Sequence, residues 1–458
     1  MQKQPYFFDA HCHLFTIADI PLFQLAKRLH RKAEHPLRLF LAPAAIALLS
    51  VEKFREFIQF FESEPNQNVA RVSKQLVDSL AELNVEADKV IMTPLVMDFD
   101  AGGKVDKLLP QVERLVKAAP AAGEVFVLPF VGVDPRRLLG TGEKVPAPST
   151  VRKRVKEFLD VNGVAGIGER GGWEQLGKGI RGGDLIGVKL YPPLGFDVLP
   201  LKDKRKRDCH LEIYRELAKR KLPVTVHCQE KSFELASSHQ EAMDFTKPDN
   251  WLQVLQFSPQ LSKLKLNFGH FGGDDGVKKV VPLRNRGEME DWDDWRAPRK
   301  PRKRGWTFEI IQMLKRYPNT YADLSAFHFG DKKACNALMW LLAFDHNGYF
   351  DEDGSANHPL LDKLMWGSDY PMILPEFHGY LPYLRAFVRT ILQNKARFSA
   401  FECPPQVEAG SGGGADGEDV GLIRHAADGK AKNWKPLPSA AEIFDRLSCV
   451  NPRRFLFD

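Results

Sequence analysis

The sequence predicts a single α/β unit built as a (β/α)8 TIM barrel, and three observations favour this fold. Eight short runs rich in Val, Ile, Leu and Phe are spread over all 458 residues. Polar stretches with helical periodicity separate them, and no glycine-rich phosphate loop follows the first run. Continuous apolar strands that alternate with helices are typical of a parallel sheet buried on both faces. Eight of them favour a closed barrel over an open doubly wound sheet.

The eight predicted strands lack the strict apolar–polar alternation of a half-buried sheet. They cover residues 6–10, 90–97, 125–133, 185–191, 223–227, 264–269, 320–324 and 364–367. Barrels of this kind run from about 200 to more than 400 residues once insertions are included. We therefore predict that residues 1–458 form one barrel.

Insertions are predicted after the first and sixth strands. Residues 15–88 carry amphipathic stretches and an apolar run at 37–51, so we expect a helical lid over the barrel mouth or a contact in a possible homodimer. Residues 274–306 are dense in charged residues and Trp. Residues 401–436 are glycine-rich with few large apolar side chains, which predicts a flexible segment.

Composition argues against several classes of protein. Lys and Arg total 65 against 59 Asp and Glu, a net charge of +6, which disfavours a dedicated nucleic-acid binder. No apolar run reaches the ~20 residues of a membrane span, and no signal peptide is expected ahead of the first strand. The six cysteines contain no Cys-x-x-Cys pair, which is typical of reduced thiols. We expect a cytoplasmic protein that acts on a small molecule.

Metal-ligating residues stand at the carboxyl ends of the predicted strands: His11, His13, His227, His270 and Asp369. In a barrel these ends meet on one face, and two strand residues spaced two apart point the same way. A lone histidine at such a place is usually structural, and an aspartate after Gly-Ser is commonly a helix cap. Five together predict a site for one or two divalent ions, with zinc the expected metal.

Six short motifs support this interpretation. They are DAHCH at 9–13, GVKLYP at 187–192, VTVHC at 224–228, NFGH at 267–270, WGSDYP at 366–371 and NPRRF at 451–455. Together they resemble the amidohydrolase superfamily, in the branch of aminocarboxymuconate semialdehyde decarboxylase-like metal-dependent hydrolases. The resemblance implies a metal on His11, His13 and Asp369, completed by His227, His270 or Lys189 according to subtype. The long insertions depart from a minimal member.

Lys189 ends the fourth predicted strand, where binuclear members of the resembled superfamily carry a carboxylated lysine. A lysine with its usual pKa near 10.4 would place a cation beside the metal, whereas a carbamate is an anion that offers an oxygen to each of two ions. His227 and His270 would then hold the second ion. Alternatively, a bare Lys189 binds an anionic substrate, and His227 completes a site for one ion.

The candidate substrate contacts are Lys189, Tyr191, Arg136 and Arg137, although one of the two arginines is expected to form a structural ion pair instead.

The predicted chemistry follows from the ion, which lowers the pKa of water from 15.7 towards ~7. Asp369 is expected to take the proton and pass it to the leaving group, and His270 to polarise a carbonyl if it is not a ligand. These roles favour hydrolysis of a C–N or C–O bond in an amide, lactone or ester. Two alternatives stay open: non-oxidative decarboxylation, implied by the resembled branch, and a catalytically inactive binding protein, which metal content would distinguish.

Overall fold

The computed structural model describes most of the chain. The described ranges are 3–16, 19, 56, 59–99, 108–140, 144–230, 234, 236–281, 301–352, 356–398 and 435–457. The apolar run at 37–51, residues 282–300 of the second predicted insertion and nearly all of the predicted flexible segment lie outside these ranges. Among the helices within them, none combines the length and apolar character needed to cross a membrane.

Nine strands form the inner layer of the described chain, and every neighbouring pair is parallel. They are β1 (Gln4–Cys12), β2 (Ala87–Pro94), β3 (Val125–Val127), β4 (Phe130–Gly132), β5 (Gly187–Leu190), β6 (Val224–His227), β7 (Leu266–Gly269), β8 (Thr320–Asp323) and β9 (Leu364–Met365). Each predicted strand overlaps an observed one. The third, predicted at 125–133, is divided into β3 and β4.

Proline explains the division of the third strand, because Pro129 has no N–H to donate to a neighbouring strand. The backbone N–H of Leu128 donates to the Met92 carbonyl of β2 at 2.8 Å, and the N–H of Ile186 donates to the Pro129 carbonyl at 3.0 Å. Hydrogen bonds therefore continue on both sides of the break. The break divides the hydrogen-bonded strands into two groups, in the orders β1-β2-β3 and β4-β5-β6-β7-β8-β9.

The first and last strands are also neighbours. The backbone N–H of Ala10 in β1 donates to the carbonyl of Trp366, directly after β9, at 3.2 Å. With the parallel pairing, this places the eight strand positions in cyclic order. The predicted fold class, a (β/α)8 TIM barrel, is confirmed.

Helices fill the connections between strands. Those described are α1 (Pro65–Glu82), α2 (Leu108–Ala118), α3 (Pro135–Leu139), α4 (Pro148–Val161), α5 (Lys204–Lys219), α6 (His239–Thr246), α7 (Pro248–Gln256), α8 (Gly273–Val280), α9 (Trp306–Arg316), α10 (Lys332–His346), α11 (Leu374–Phe377), α12 (Tyr380–Phe398), α13 (Ala440–Asp445) and α14 (Asn451–Phe457).

The helix α1 covers the last part of the segment predicted as a lid. Its buried residues include Val69, Val72, Leu76 and Leu80, which share one helical face. That face packs within the outer layer, where α1 contacts α2 and α12. This part of the segment therefore links β1 to β2 as a barrel helix. The lid itself stays a prediction, since most of residues 17–58 lie outside the described ranges.

The apolar core divides along the strands. Phe8 of β1, Phe130 of β4, Tyr321 of β8 and Met365 of β9 belong to one cluster. Because β4 and β8 lie on opposite sides of the barrel, a cluster that they share lies inside it. Phe7, the neighbour of Phe8, belongs instead to the larger cluster that includes the helices. Alternation along each strand thus separates the barrel interior from the helical layer.

Candidate metal centre

Alternation places several polar side chains at the carboxyl end of the barrel interior. Asp323 and Gly367 follow the interior residues Tyr321 and Met365 by two positions. On β5 and β6 the apolar neighbours of Lys189 and His227 belong to the outer cluster, which directs these two side chains inward. Lys189, His227 and Asp323 are all buried. Interior polar residues at this end of a barrel are those that form its site.

An irregularity in β1 turns His11 towards the same interior. Since Phe8 and Ala10 face inward, strict alternation would direct His11 to the helical layer. The register between β1 and β2 shifts between Asp9 and Cys12, which reverses that direction. Glycines make room for the ring: a Cβ added at Gly367 would lie 2.8 Å from the His11 Cβ. His11 therefore reaches the interior by a local shift in register.

The predicted ligands converge on Asp369. The Nε2 atoms of His11 and His13 lie 3.4 Å and 3.3 Å from its Oδ1. One ligand atom from each of His11, His270 and Asp369 lies within 4.8 Å of the others. The ring of His227 lies 4.7 Å from that of His270, centroid to centroid. All five predicted ligands are buried and lie side by side.

The turn that carries Asp369 is tied to β1. Asp369 has φ +58°, and its backbone N–H donates to the His11 carbonyl at 2.7 Å. Ser368 donates from its N–H and hydroxyl to the buried Asp9 carboxylate at 2.9 Å and 2.6 Å, and the Tyr380 hydroxyl donates to the same carboxylate. The Asp369 side chain is directed at His11 and His13, which argues against the helix-cap interpretation.

Burial and charge set the protonation states that ligands need. Burial lowers the pKa of His11 to about 4 and that of His227 well below its usual value, so both rings are neutral at pH 7. For Asp369, burial raises the pKa, but His270, His13 and His11 outweigh it and hold the pKa at about 2. Neutral imidazoles beside an ionised carboxylate are the forms that bind a divalent cation.

Two buried histidine rings have a nitrogen left for a ligand. Among the described residues, the Nε2 of His11 and both ring nitrogens of His227 have no hydrogen-bond partner although they are buried. An unpaired buried polar atom costs about 1–3 kcal/mol. A cation at this point would be coordinated by lone pairs that otherwise stay unsatisfied, so these residues fit a metal ion.

Lys189 stands beside this cluster. Burial lowers the pKa of its amine to about 8, while the charges of Asp323 and Asp369 act in the opposite direction. Its Nζ lies 5.8 Å from the centre of the Tyr191 ring, which in turn contacts His227 at 4.6 Å between ring centroids. Two of the candidate substrate contacts, Lys189 and Tyr191, therefore lie next to the predicted ligands.

Both candidate arginines are engaged in ion pairs. Arg137 donates to the two carboxylate oxygens of Asp98 at 2.8 Å and 2.7 Å. Arg136 donates to both oxygens of Asp134 at 3.0 Å and 2.6 Å, and to the Leu194 carbonyl at 3.1 Å. The sequence predicted one such pair and the structure contains two. Their contact with substrate stays a prediction.

Sequence reasoning missed the residues behind the ligands. Asp323, Ser325 and Asn267 are buried and hydrogen-bonded to one another or to His11. A signal was available for Asp323, because an aspartate within an otherwise apolar strand is unusual. Asp9 was part of a recognised motif, but its role in holding the Asp369 turn needed the structure.

Comparison with known families identifies the class of protein. The sequence model of the amidohydrolase family matches residues 126–407, more than half of the chain, so the chain belongs to the amidohydrolase family. This is a family of enzymes, as predicted. None of the curated proteins matches the sequence.

Solved structures with detectable likeness are remote. The 5-carboxyvanillate decarboxylase of Sphingomonas paucimobilis is 11% identical, with 85% of this chain and 93% of that chain covered and a TM-score of 0.38. The 4-oxalomesaconate hydratase of Rhodopseudomonas palustris is 11% identical, with 84% and 88% covered and a TM-score of 0.38. The organophosphorus hydrolase of Deinococcus radiodurans is 10% identical, with 99% and 93% covered and a TM-score of 0.39. At these scores no property of theirs is transferred.

Proposed function

We propose that this chain is a metal-dependent hydrolase that cleaves a C–N or C–O bond of a small molecule, in an amide, lactone or ester. One or two divalent ions, with zinc expected, would be held by His11, His13, His227, His270 and Asp369. The observation that carries the proposal is the approach of two histidine Nε2 atoms to one oxygen of Asp369, at 3.4 Å and 3.3 Å, inside the barrel mouth.

A divalent ion bound here would supply Lewis acidity and a more acidic water. The ionised carboxylate of Asp369 can accept a proton from the attacking water and deliver it to the leaving group. Burial of the site excludes bulk water, which strengthens each charge interaction within it. The role of the chain in the proton transfer is thus assigned to the Asp369 oxygen, with the substrate placed against the cluster.

The hydrogen bond of His270 helps to choose between its predicted roles. Its Nδ1 lies 3.1 Å from the backbone carbonyl of Ser325, which can only accept, so the Nδ1 carries the proton. In a neutral ring the Nε2 is then an acceptor with a free lone pair. That state favours the role of ligand over the role of donor to a substrate carbonyl.

Carboxylation of Lys189 is part of the proposal. Carbon dioxide reacts with a neutral amine, and a pKa near 8 leaves far more neutral amine at pH 7 than an ordinary lysine has. The resulting carbamate would be an anion close to Asp369 and would need cations beside it. This arrangement supports two ions, whereas a bare Lys189 amine supports one ion and an anionic substrate group.

The test begins with metal content, measured by plasma mass spectrometry on the purified chain, where one to two divalent ions per chain are expected. Hydrolysis is then assayed on a panel of lactones, esters and amides before and after chelation and zinc return. The double variant His11→Ala/His13→Ala and the single variant Asp369→Asn should lose activity and keep their circular dichroism, because rim residues contribute little to the core. His239→Ala, an exposed histidine in α6, should keep both metal and activity.

Each outcome has a meaning for the proposal. Full metal retention in the double histidine variant would exclude this site. Release of carbon dioxide from aromatic carboxylic acids, with no hydrolysis of the panel, would replace the hydrolase with a decarboxylase. A chain that binds no metal and turns over nothing would be an inactive binding protein on the same fold.

A further inference from the structure

The buried carboxylate of Asp323, at the end of β8, receives five hydrogen bonds. Its Oδ2 faces the Nδ1 of His11 at 2.9 Å and accepts from the Asn267 side-chain amide at 2.6 Å. Its Oδ1 accepts from the backbone N–H of His270 at 3.0 Å, from that of Ser325 at 3.1 Å and from the Ser325 hydroxyl. The proposed chemistry does not use this carboxylate.

These bonds determine which nitrogen of His11 carries the proton. An ionised carboxylate accepts and never donates, so the Nδ1 of His11 must be the donor. The hydroxyl of Ser325 donates to Asp323, and it can therefore act only as an acceptor towards the Nδ1 of His11, 3.0 Å away. The proton is thus held on Nδ1, and the lone pair of Nε2 faces Asp369.

Asp323 also holds the backbone of His270. His270 has φ +70°, and Phe271 after it has φ +49°. Such conformations are unfavourable for a non-glycine residue and persist where neighbouring contacts enforce them. The His270 N–H donates to Asp323, and its ring donates to the carbonyl of Ser325. One contact from the end of β8 and one from the loop after it therefore set the backbone and the ring of His270.

His13 provides an internal comparison. Its Nδ1 donates to the backbone carbonyl of Leu95 at 2.9 Å, with no part played by Asp323. Its Nε2 nevertheless reaches Asp369 at 3.3 Å. A change at Asp323 should therefore alter two of the five ligands and leave His13 in place.

We propose that Asp323 is a positioning residue for the metal centre, which holds His11 in the Nδ1–H tautomer and His270 in its left-handed backbone so that both Nε2 atoms face the ion. The inference rests on the proposed function for the presence of the ion. The tautomer of His11 can be measured in the metal-free chain. A carboxylate behind a ligating histidine typically contributes 10–100-fold to metal affinity.

The experiment compares Asp323→Asn with the wild-type chain. The amide is nearly the same size, but its NH₂ group can donate to the Nδ1 of His11 and so favour the Nε2–H tautomer, which cannot bind metal. We expect the zinc dissociation constant, from competition with a chromophoric chelator, to rise by about 10–100-fold. The visible spectrum of bound Co²⁺ should also change, because the coordination geometry changes.

Two further variants separate positioning from general damage. Asp345→Asn is the matched control, since Asp345 is a buried carboxylate in α10 that accepts from Lys315 at 2.5 Å, outside the metal centre. It should lower the melting temperature and leave zinc affinity within about threefold of the wild type. Ser325→Ala keeps Asp323 and removes a hydroxyl 3.0 Å and 2.9 Å from two histidine Nδ1 atoms. If Asp323→Asn does not fold, Ser325→Ala tests the positioning role instead, and its zinc dissociation constant is expected to rise roughly tenfold.

The outcomes distinguish this inference from the proposed function. Unchanged zinc affinity and an unchanged Co²⁺ spectrum in Asp323→Asn would overturn the inference and leave the hydrolase proposal intact. A wild-type chain that binds no metal would contradict the proposed function. In that case the nitrogen-15 spectrum of labelled histidine in the metal-free chain still decides. An Nδ1–H signal for His11 that becomes Nε2–H in Asp323→Asn supports the positioning role, and a signal that does not change overturns it.

Discussion

Replacing Gly367 by alanine should perturb the candidate metal centre although no predicted ligand is itself replaced. Gly367 follows β9 and lies against His11 of the neighbouring strand β1. A Cβ built on Gly367 would lie 2.8 Å from the His11 Cβ, 3.1 Å from the His11 backbone nitrogen and 3.3 Å from the Ser325 Cβ. Carbon atoms in contact prefer about 3.5–4.0 Å, so β1 or the Gly367 turn must move by roughly 1 Å.

That displacement sets the expected size of the effect. Overpacking of a well-packed core typically costs 1–3 kcal/mol, and we expect a loss of about 2 kcal/mol in the free energy of unfolding of the metal-free chain. Movement of His11 by about 1 Å is expected to reduce turnover by roughly 100-fold. Zinc affinity should fall as well, because His11 contacts Asp369 directly.

Urea unfolding of the metal-free chain and chelator competition for zinc measure these effects. The control is Gly166→Ala, since Gly166 is buried but a Cβ there would meet nothing closer than 3.5 Å. It should change stability by less than about 1 kcal/mol and leave zinc affinity unaltered. If Gly367→Ala behaves like Gly166→Ala in both assays, the close approach of the turn to His11 is not a constraint on the site.

Three other predictions concern separate parts of the chain. Burial lowers the pKa of His210 in α5 to about 4, so between pH 6.5 and about 4 the unfolded chain takes up a proton that the folded chain does not. The free energy of unfolding should therefore fall as the pH is lowered from 6.5 to about 4. In urea titrations, His210→Gln should reduce that slope by up to about 1.4 kcal/mol per pH unit. Arg137→Met should cost about 3 kcal/mol, because it leaves the Asp98 carboxylate buried without its ion pair; unaltered stability combined with a raised KM would instead favour a substrate contact. Lys189→Ala should lose activity that acetate or propionate partly restores, and the carbon-13 spectrum under labelled carbon dioxide should show a carbamate absent from that variant. The buried Lys363, whose pKa burial also lowers to about 8, supplies the control through Lys363→Ala, which should keep the carbamate signal and the activity.

The strands, and the residues that meet at the candidate metal centre, could be found from the sequence alone. Short apolar runs mark the strands because both faces of a barrel sheet are buried, and each strand predicted from such a run is present. The predicted ligands stand at the ends of those runs, and in a parallel barrel these ends share one face. Asp369 and His227 therefore became neighbours in the prediction although they are far apart along the chain.

Only the tertiary structure decided how those ligands are aimed. The side-chain direction of His11 depends on a shift in register between β1 and β2, and register is a relation between strands that neither strand encodes alone. The tautomers of His11 and His270 depend on Asp323 and Ser325, which belong to a distant strand and loop. The sequence determined which residues can meet at the barrel mouth, because the apolar runs that mark each strand and its end are a local property of the chain. The contacts that orient them depend on packing across the barrel, which no local pattern records.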